Sequence, residues 1–312
     1  MELIFLGTGA GMPSKQRNTS SLIVNLSAEQ CGYWMFDCGE ATQHQLLRTS
    51  IKPRKINKIF ITHLHGDHIF GLPGFLGSRS FLGGEEELII YGPVGIKEWI
   101  MTSLRITKTH LTYPLKIEEI EKGILFEDNQ FKVTALELEH VIECFGFRIE
   151  QKPLPGKLLV EKAVEFGVPK GPLLKKLKDG ADVELADGRI VFSKDVTGDE
   201  QKGFTIAVLG DTNYCSSAVQ LADEADILIH EATFDNETGD LAKEYGHSTI
   251  GDAARVAKEA NVKALIANHI SARFMPTHIA KLQEQGSAVF PNTYIAEDFS
   301  HFEWKSEQLI TK

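Results

Sequence analysis

The chain has 312 residues, with 33 basic and 43 acidic side chains for a formal charge of −10, and is 42% hydrophobic and 24% charged. That composition is ordinary for a globular protein and excludes disordered, collagenous and coiled-coil architectures. The acidic balance argues against electrostatic binding of nucleic acid over the whole surface, but charge acts locally and a basic patch would escape the total.

The N-terminal apolar run breaks at Gly7 and has no basic flank, so it reads as a strand and not as a secretory signal. Strands are predicted over 3–6, 22–26 and 33–36, then a short helix over 41–48. Buried strands follow over 58–62 and 87–91, a helix over 97–105, and neighbouring strands over 131–139 and 145–150. Further buried strands lie over 204–209, 227–229 and 263–267, and the apolar spacing of 250–260 suits an amphipathic helix before the last of them. Interleaved strands and helices predict a layered α/β or α+β fold. No apolar run approaches the ~20 residues of a membrane span, so a cytoplasmic protein without a membrane partner is expected. Cys31, Cys38, Cys144 and Cys215 form no CxxC pair and are expected to be reduced, buried thiols.

The segment 152–178 differs from its surroundings. It carries seven lysines against two glutamates, and four of the eleven prolines. It reads as a basic insertion projecting from the domain, with room for a short helix of its own, and it includes Lys175, Lys176 and Lys178.

The strongest chemical signal is Thr62-His63-Leu64-His65-Gly66-Asp67-His68, directly after a buried strand. Four ligand-type side chains on one tight loop would be costly to bury together without a cation. Imidazole and carboxylate suit zinc, and less specifically manganese or iron. His140, Asp211 and His269 also follow predicted strands, where the loops of a layered α/β fold gather. Seven ligands exceed the four of a single tetrahedral zinc and match two metals sharing a bridging carboxylate. Such a pair suits hydrolysis, above all of phosphate esters, with Asp67 placed to accept a proton from the attacking water. Further along, His230-Glu231-Ala232-Thr233 is followed by His247-Ser248-Thr249. Each histidine alone reads as structural, and Ser248 or Thr249 as a helix cap. Gly7-Thr8-Gly9-Ala10-Gly11 lacks dinucleotide-binding spacing and reads as a glycine turn, while Gly71, Gly74 and Gly77 read as turns or points of close packing.

His-x-His-x-Asp-His with later His140, Asp211 and His269 resembles the metallo-β-lactamase superfamily of dinuclear hydrolases over essentially the whole chain. The resemblance implies a four-layer αββα sandwich over 1–312 and two zinc ions per subunit. His63, His65 and His140 would hold one, Asp67, His68 and His269 the other, and Asp211 would bridge them. Within the superfamily, the His-Glu-Ala-Thr and His-Ser-Thr runs resemble the transfer RNA 3′-processing endonucleases of the ribonuclease Z family. That likeness implies removal of the 3′ trailer from precursor tRNA, leaving a 3′-hydroxyl on the tRNA and a 5′-phosphate on the trailer. It places His247 at the scissile phosphate, oriented by Glu231. Pro13-Ser14-Lys15-Gln16-Arg17-Asn18 resembles the family's substrate-contacting loop, which implies contacts from Lys15, Arg17 and Asn18. Ser271 and Arg273 are suited to hold a phosphate by charge-assisted hydrogen bonds. The insertion, over 152–195, resembles the family's flexible tRNA-gripping arm, and chains of this size imply a homodimer. Asn213 and Asn268 stand where a basic residue and a threonine are usual. The alternative is a small-molecule phosphodiesterase or another dinuclear zinc hydrolase on the same fold.

Overall fold

In the computed structural model, which describes residues 1–312 apart from the side chain of Pro276, the chain divides into two compact units. The first comprises Met1–Leu125, Val133–Ile149 and Thr205–Lys312, and the second Phe126–Lys132 and Glu150–Phe204.

The first unit is built on two sheets. One has eight strands in the order Gln308–Thr311, His301–Lys305, Glu2–Gly7, Ser21–Leu26, Gly32–Phe36, Ile56–Phe60, Leu88–Gly92 and Leu115–Glu119. The other has seven, in the order Thr293–Ile295, Ala264–Asn268, Ile227–Glu231, Thr205–Val208, Phe145–Gln151, Phe131–Glu137 and Gly123–Glu127. Large apolar side chains join their inner faces. The rings of Phe36 and Phe60 lie 5.9 and 5.4 Å from that of Phe147, which comes from the opposite sheet. Helices Thr42–Leu47, Leu72–Phe81 and Ile96–Ile106 cover the outside of the first sheet, setting Leu46, Phe75 and Ile100 against Met35, Ile59 and Ile90. Helices Ser216–Ala222 and Ile250–Glu259 cover the second, setting Leu221 and Val256 against Leu228 and Leu265. This is the αββα layering that the family resemblance implied.

Parallel runs occur in both sheets: Gly32–Phe36 through Leu115–Glu119 in one, Thr205–Val208 through Thr293–Ile295 in the other. Loops leaving the carboxyl ends of parallel strands collect on one edge, the usual place for a site in such sheets.

Two expectations change. Gly74 and Gly77 do not make turns but lie inside helix Leu72–Phe81. Pro73 starts this helix, and Leu72, Phe75, Leu76 and Arg79 bury one face at helical spacing. Gly71 does mark close packing, since a Cβ there would stand 2.1 Å from the Gly39 carbonyl oxygen. The C-terminal strands 293–295, 301–305 and 308–311 add to the predicted set, because runs of three to five residues are too short to show a clear apolar alternation.

The second unit contains helices Val160–Glu165, Pro172–Lys178 and Ser193–Val196 and the paired strands Val183–Glu184 and Ile190–Val191. Ala163, Val168, Leu177, Val183, Leu185, Val191 and Val196 form its own small core. It therefore holds more structure than one short helix. Lys175, Lys176 and Lys178 are exposed around the buried Leu177. Among the described residues no helix is long and apolar enough to cross a membrane.

Candidate metal centre

The loop after strand Ile56–Phe60 carries His63 and His65 and runs into a single helical turn, Gly66–Ile69, that presents Asp67 and His68. Glycine is required around this loop. A Cβ on Gly39 would lie 2.3 Å from the Asp67 carbonyl oxygen, so only a bare backbone lets the two segments touch. His140, Asp211 and His269 arrive from the ends of Phe131–Glu137, Thr205–Val208 and Ala264–Asn268. His269 takes a left-handed backbone, φ 55°, and so does Asp37, φ 57°. Such conformations are costly for residues other than glycine and persist where surrounding structure enforces them.

The seven expected ligands converge in two adjoining groups. His63 Nε2 and His65 Nδ1 are 3.1 Å apart, and His65 Nδ1 and His140 Nε2 are 3.3 Å apart. His68 Nε2 and His269 Nε2 are 3.2 Å apart, and Asp67 Oδ2 lies 3.4 and 3.3 Å from them. Asp211 Oδ2 joins the groups, 3.6 Å from His63 Nε2 and 3.5 Å from His68 Nε2. Nitrogens facing nitrogens at these distances cannot all be satisfied by one another. Donors held about 2.0–2.1 Å from a tetrahedral metal are roughly 3.3 Å apart, which is the spacing found.

The electrostatics fit a cation. Burial opposes charge on His68, yet Asp211 and Asp37 outweigh it and hold the ring well above the ordinary histidine range. Burial also opposes charge on Asp67, but hydrogen bonds from His269 and His68 keep it far below the usual carboxylate range. Asp211 is likewise held down, against burial, by His269, His68 and His63. Without a metal, a protonated imidazole must balance two buried carboxylates. A bound cation supplies that charge and frees the imidazole lone pairs, so the donor set fits metal.

An outer shell orients the rings. His63 Nδ1 lies 2.9 Å from Thr62 Oγ1, and His68 Nδ1 lies 2.8 Å from Asp37 Oδ2. His140 Nδ1 is 2.7 Å from the Gly246 carbonyl oxygen, and His269 Nδ1 is 2.9 Å from Thr233 Oγ1. Such partners fix which ring nitrogen is offered to a metal. Asp37, Thr62 and Thr233 escape a reading of the sequence alone. Asp37 also accepts from the Thr62 backbone NH at 2.9 Å, so one carboxylate braces two ligand positions. The aspartate directly after strand Gly32–Phe36 was the available signal.

Beside the cluster, His247 Nδ1 lies 2.9 Å from Glu231 Oε1. Burial pushes His247 down, but the Glu231 hydrogen bond and charge prevail and raise it to about 9. Glu231 is wholly enclosed and accepts from the backbone NH groups of Thr212 and Thr233, each at 3.0 Å. Asp211, His247 and His269 also lie close enough to share an ion. However, the His247 nitrogen facing Asp211, at 3.8 Å, is the one engaged by Glu231. Of the two residues that follow His247, Thr249 caps helix Ile250–Glu259 in a reciprocal box with Asp252, while Ser248 donates to the Thr212 carbonyl oxygen at 2.6 Å.

The other expected contacts divide. Lys15 and Arg273 are exposed, and Arg273 Nε donates to Ser271 Oγ at 3.1 Å. Asn18 is half-buried and its side chain donates to the Glu40 carbonyl oxygen at 2.7 Å. Arg17 does not reach solvent. Only 7% exposed, it donates to Thr8 Oγ1 at 2.8 Å and to the Ala296 carbonyl oxygen, which makes it a brace for the loop carrying Lys15. Cys38, Cys144 and Cys215 are buried and Cys31 is half-buried. Burial raises the Cys38 and Cys144 thiols, which makes them poor nucleophiles.

Two sheets with a His/Asp cluster at their shared edge define a member of the metallo-β-lactamase superfamily with a site built for metal. A family model described as "Anti-Pycsar protein Apyc1" matches residues 1–154. The chain is 54% identical to ribonuclease Z of Bacillus subtilis (strain 168), over 96% of this chain and 97% of that one. It is equally 54% identical to a ribonuclease Z of Bacillus cereus, over 97% and 99%. Among solved structures, the short form of human tRNase Z superposes with a TM-score of 0.71 at 31% identity, covering 97% of this chain and 99% of that one. The metallo-β-lactamase fold protein YhfI from Bacillus subtilis shares the fold at 20% identity, with a TM-score of 0.67 over 96% and 98%. The chain belongs to the ribonuclease Z family.

Proposed function

We propose that this protein matures transfer RNA in the cytoplasm, cutting the 3′ trailer from the precursor to leave a 3′-hydroxyl on the tRNA and a 5′-phosphate on the trailer. It is an endoribonuclease that processes tRNA 3′ ends. The observation that carries the chemistry is the Glu231–His247 pair beside the seven-ligand cluster.

In this reading, zinc is the metal. His63, His65 and His140 would hold one ion and Asp67, His68 and His269 a second, with Asp211 placed to serve either set. When bound, the metals neutralise the scissile phosphate and supply a nucleophile at neutral pH. Asp67 is the carboxylate that would accept the proton of the attacking water. His247, kept protonated by Glu231, gives its proton to the leaving 3′-oxygen, which departs as a hydroxyl. Ser271 and Arg273 hold a neighbouring phosphate, and Lys15 and Asn18 contact the RNA beside it. Lys175, Lys176 and Lys178 grip the body of the tRNA, and two copies of the chain work as a homodimer.

A cleavage assay on a precursor tRNA, with and without chelator, tests this reading when both product ends are mapped. Cleavage at the trailer junction, abolished by chelator and restored by zinc, is the expected result. An intact trailer in the presence of zinc overturns it, and chelator-sensitive turnover of small phosphodiesters alone would favour the small-molecule alternative.

A further inference from the structure

His230 is wholly buried and has no part in the chemistry above. Its Nδ1 lies 2.7 Å from the Glu231 carbonyl oxygen, to which only a ring NH can donate. Burial holds His230 below the ordinary histidine range, so the ring is neutral and Nε2 is left as an acceptor. That acceptor finds no partner within the protein, and neither do three other buried atoms: Ser20 Oγ, Ser21 Oγ and Asn268 Oδ1. All four residues line one cavity of about 30 Å³ between the two sheets, whose wall also includes His68, Asp211 and His269.

Orphaned buried polar atoms are rare and costly, and four around one void call for a shared partner. Their hydrogen-bonding characters are complementary to one molecule. His230 Nε2 and Asn268 Oδ1 are acceptors, and the two serine hydroxyls are donors. A water has two protons for the first pair and two lone pairs for the second. The cavity has room for a water, and four polar partners meet the usual requirement for burying one.

We propose that Ser20, Ser21, His230 and Asn268 enclose a site for an ordered water beneath the metal centre, and that through this water His230 positions the strand ends bearing Glu231 and His269. Ser21 opens strand Ser21–Leu26 of the first sheet, while in the second sheet His230 is the penultimate residue of its strand and Asn268 the last of the neighbouring one. The water thus ties the two sheets where their loops must hold ligands in register. His230 is a positioning residue, one step removed from the reacting atoms.

Crystals of the full chain, diffracting well enough to reveal ordered waters, test the site without reference to substrate. Density within about 3.2 Å of all four atoms is expected. An empty void, or a peak that shows anomalous scattering or contact distances proper to a cation, overturns the water. The positioning role rests on the activity proposed above and is read separately. His230→Phe, which keeps a ring but loses the acceptor, is expected to lower kcat on precursor tRNA roughly tenfold or more, the range for losing a supporting partner. KM and metal content should stay unchanged, and His230→Gln should recover most of the rate. Ser20→Ala, a milder change, should lower kcat in the same direction should His230→Phe fail to fold. Unchanged kcat in the folded variants, or loss of metal in step with rate, overturns the positioning role. Failure of the wild-type chain to cut any precursor would sink the functional reading while the density still decides the water.

Discussion

Glu231 Oε1 meets His247 Nδ1 at 2.9 Å, and the carboxylate that makes this bond is itself held by two backbone NH groups. A fixed carboxylate does two things to an imidazole. It fixes the tautomer, leaving Nε2 to face a substrate, and it stabilises the protonated ring, which is raised to about 9. A general acid must carry its proton to be competent, so the contribution of His247 is complete below that value and is lost as pH rises through it. The rate profile on precursor tRNA should therefore show an alkaline limb near pH 9. Glu231→Gln removes the charge that raises the ring, so the limb should move toward neutral pH. A limb that stays in place would detach the pH dependence from this pair.

His247→Ala separates turnover from metal binding. Loss of a general acid costs typically ~10²–10⁴-fold in rate. The seven ligands do not include His247, so metal content per chain, measured by atomic emission, should equal that of the wild type. Asp211, His247 and His269 are nonetheless near enough to share an ion. A fall in metal content parallel to activity would make His247 a ligand.

Asp37 supports the metals without touching them in this reading. Its Oδ2 lies 2.8 Å from His68 Nδ1 and its Oδ1 accepts from Thr62 NH at 2.9 Å. Asp37→Ala should weaken metal binding by about 10–100-fold, the usual loss for an outer-shell partner. Competition with a chromogenic chelator measures this directly. Metal affinity equal to wild type would show that Thr62 alone suffices to orient the loop.

The contrast between Asp37 and His63 explains what the sequence made legible. The proposed metal ligands are crowded into a six-residue run or placed just past strands, so residue type and spacing mark them as candidates. Asp37 is one aspartate after one strand, and its role depends on Thr62 and His68 arriving from elsewhere in the fold. Arg17 shows the same limit. The resemblance of its loop implies a substrate contact, but the side chain is enclosed by nearby Thr8 and by Ala296 from the far end of the chain. The sheets were legible where apolar strands are continuous, as at Ile227–Glu231, and illegible at His301–Lys305, where burial falls on Phe302 alone.

Phe147 should be the costliest single truncation between the sheets. It is fully buried and its ring meets both Phe36 and Phe60 from the other sheet. Phe147→Ala is expected to lower unfolding free energy by about 3–5 kcal/mol, combining lost burial with a residual cavity. Denaturant unfolding monitored by circular dichroism checks this. A loss below ~1.5 kcal/mol, the cost of a tolerated core swap, would mean that the sheets close over the gap.

The lysines of helix Pro172–Lys178 provide a test of where RNA binds on an acidic protein. Lys175, Lys176 and Lys178 are exposed and belong to a unit with its own core, so replacing them should leave that core intact. If each neutralises a phosphate of the precursor, binding releases a counterion at every such phosphate. Changing all three to alanine should then raise KM for precursor tRNA and leave kcat nearly constant. The slope of log affinity against log salt should flatten by roughly 0.7–0.9 for each phosphate no longer neutralised. Hydrolysis of a small phosphodiester should be unaffected, because such a substrate needs only the metal centre. An unchanged salt slope would remove these lysines from the RNA interface. A fall in kcat on both substrates would instead point to damage at the metal site.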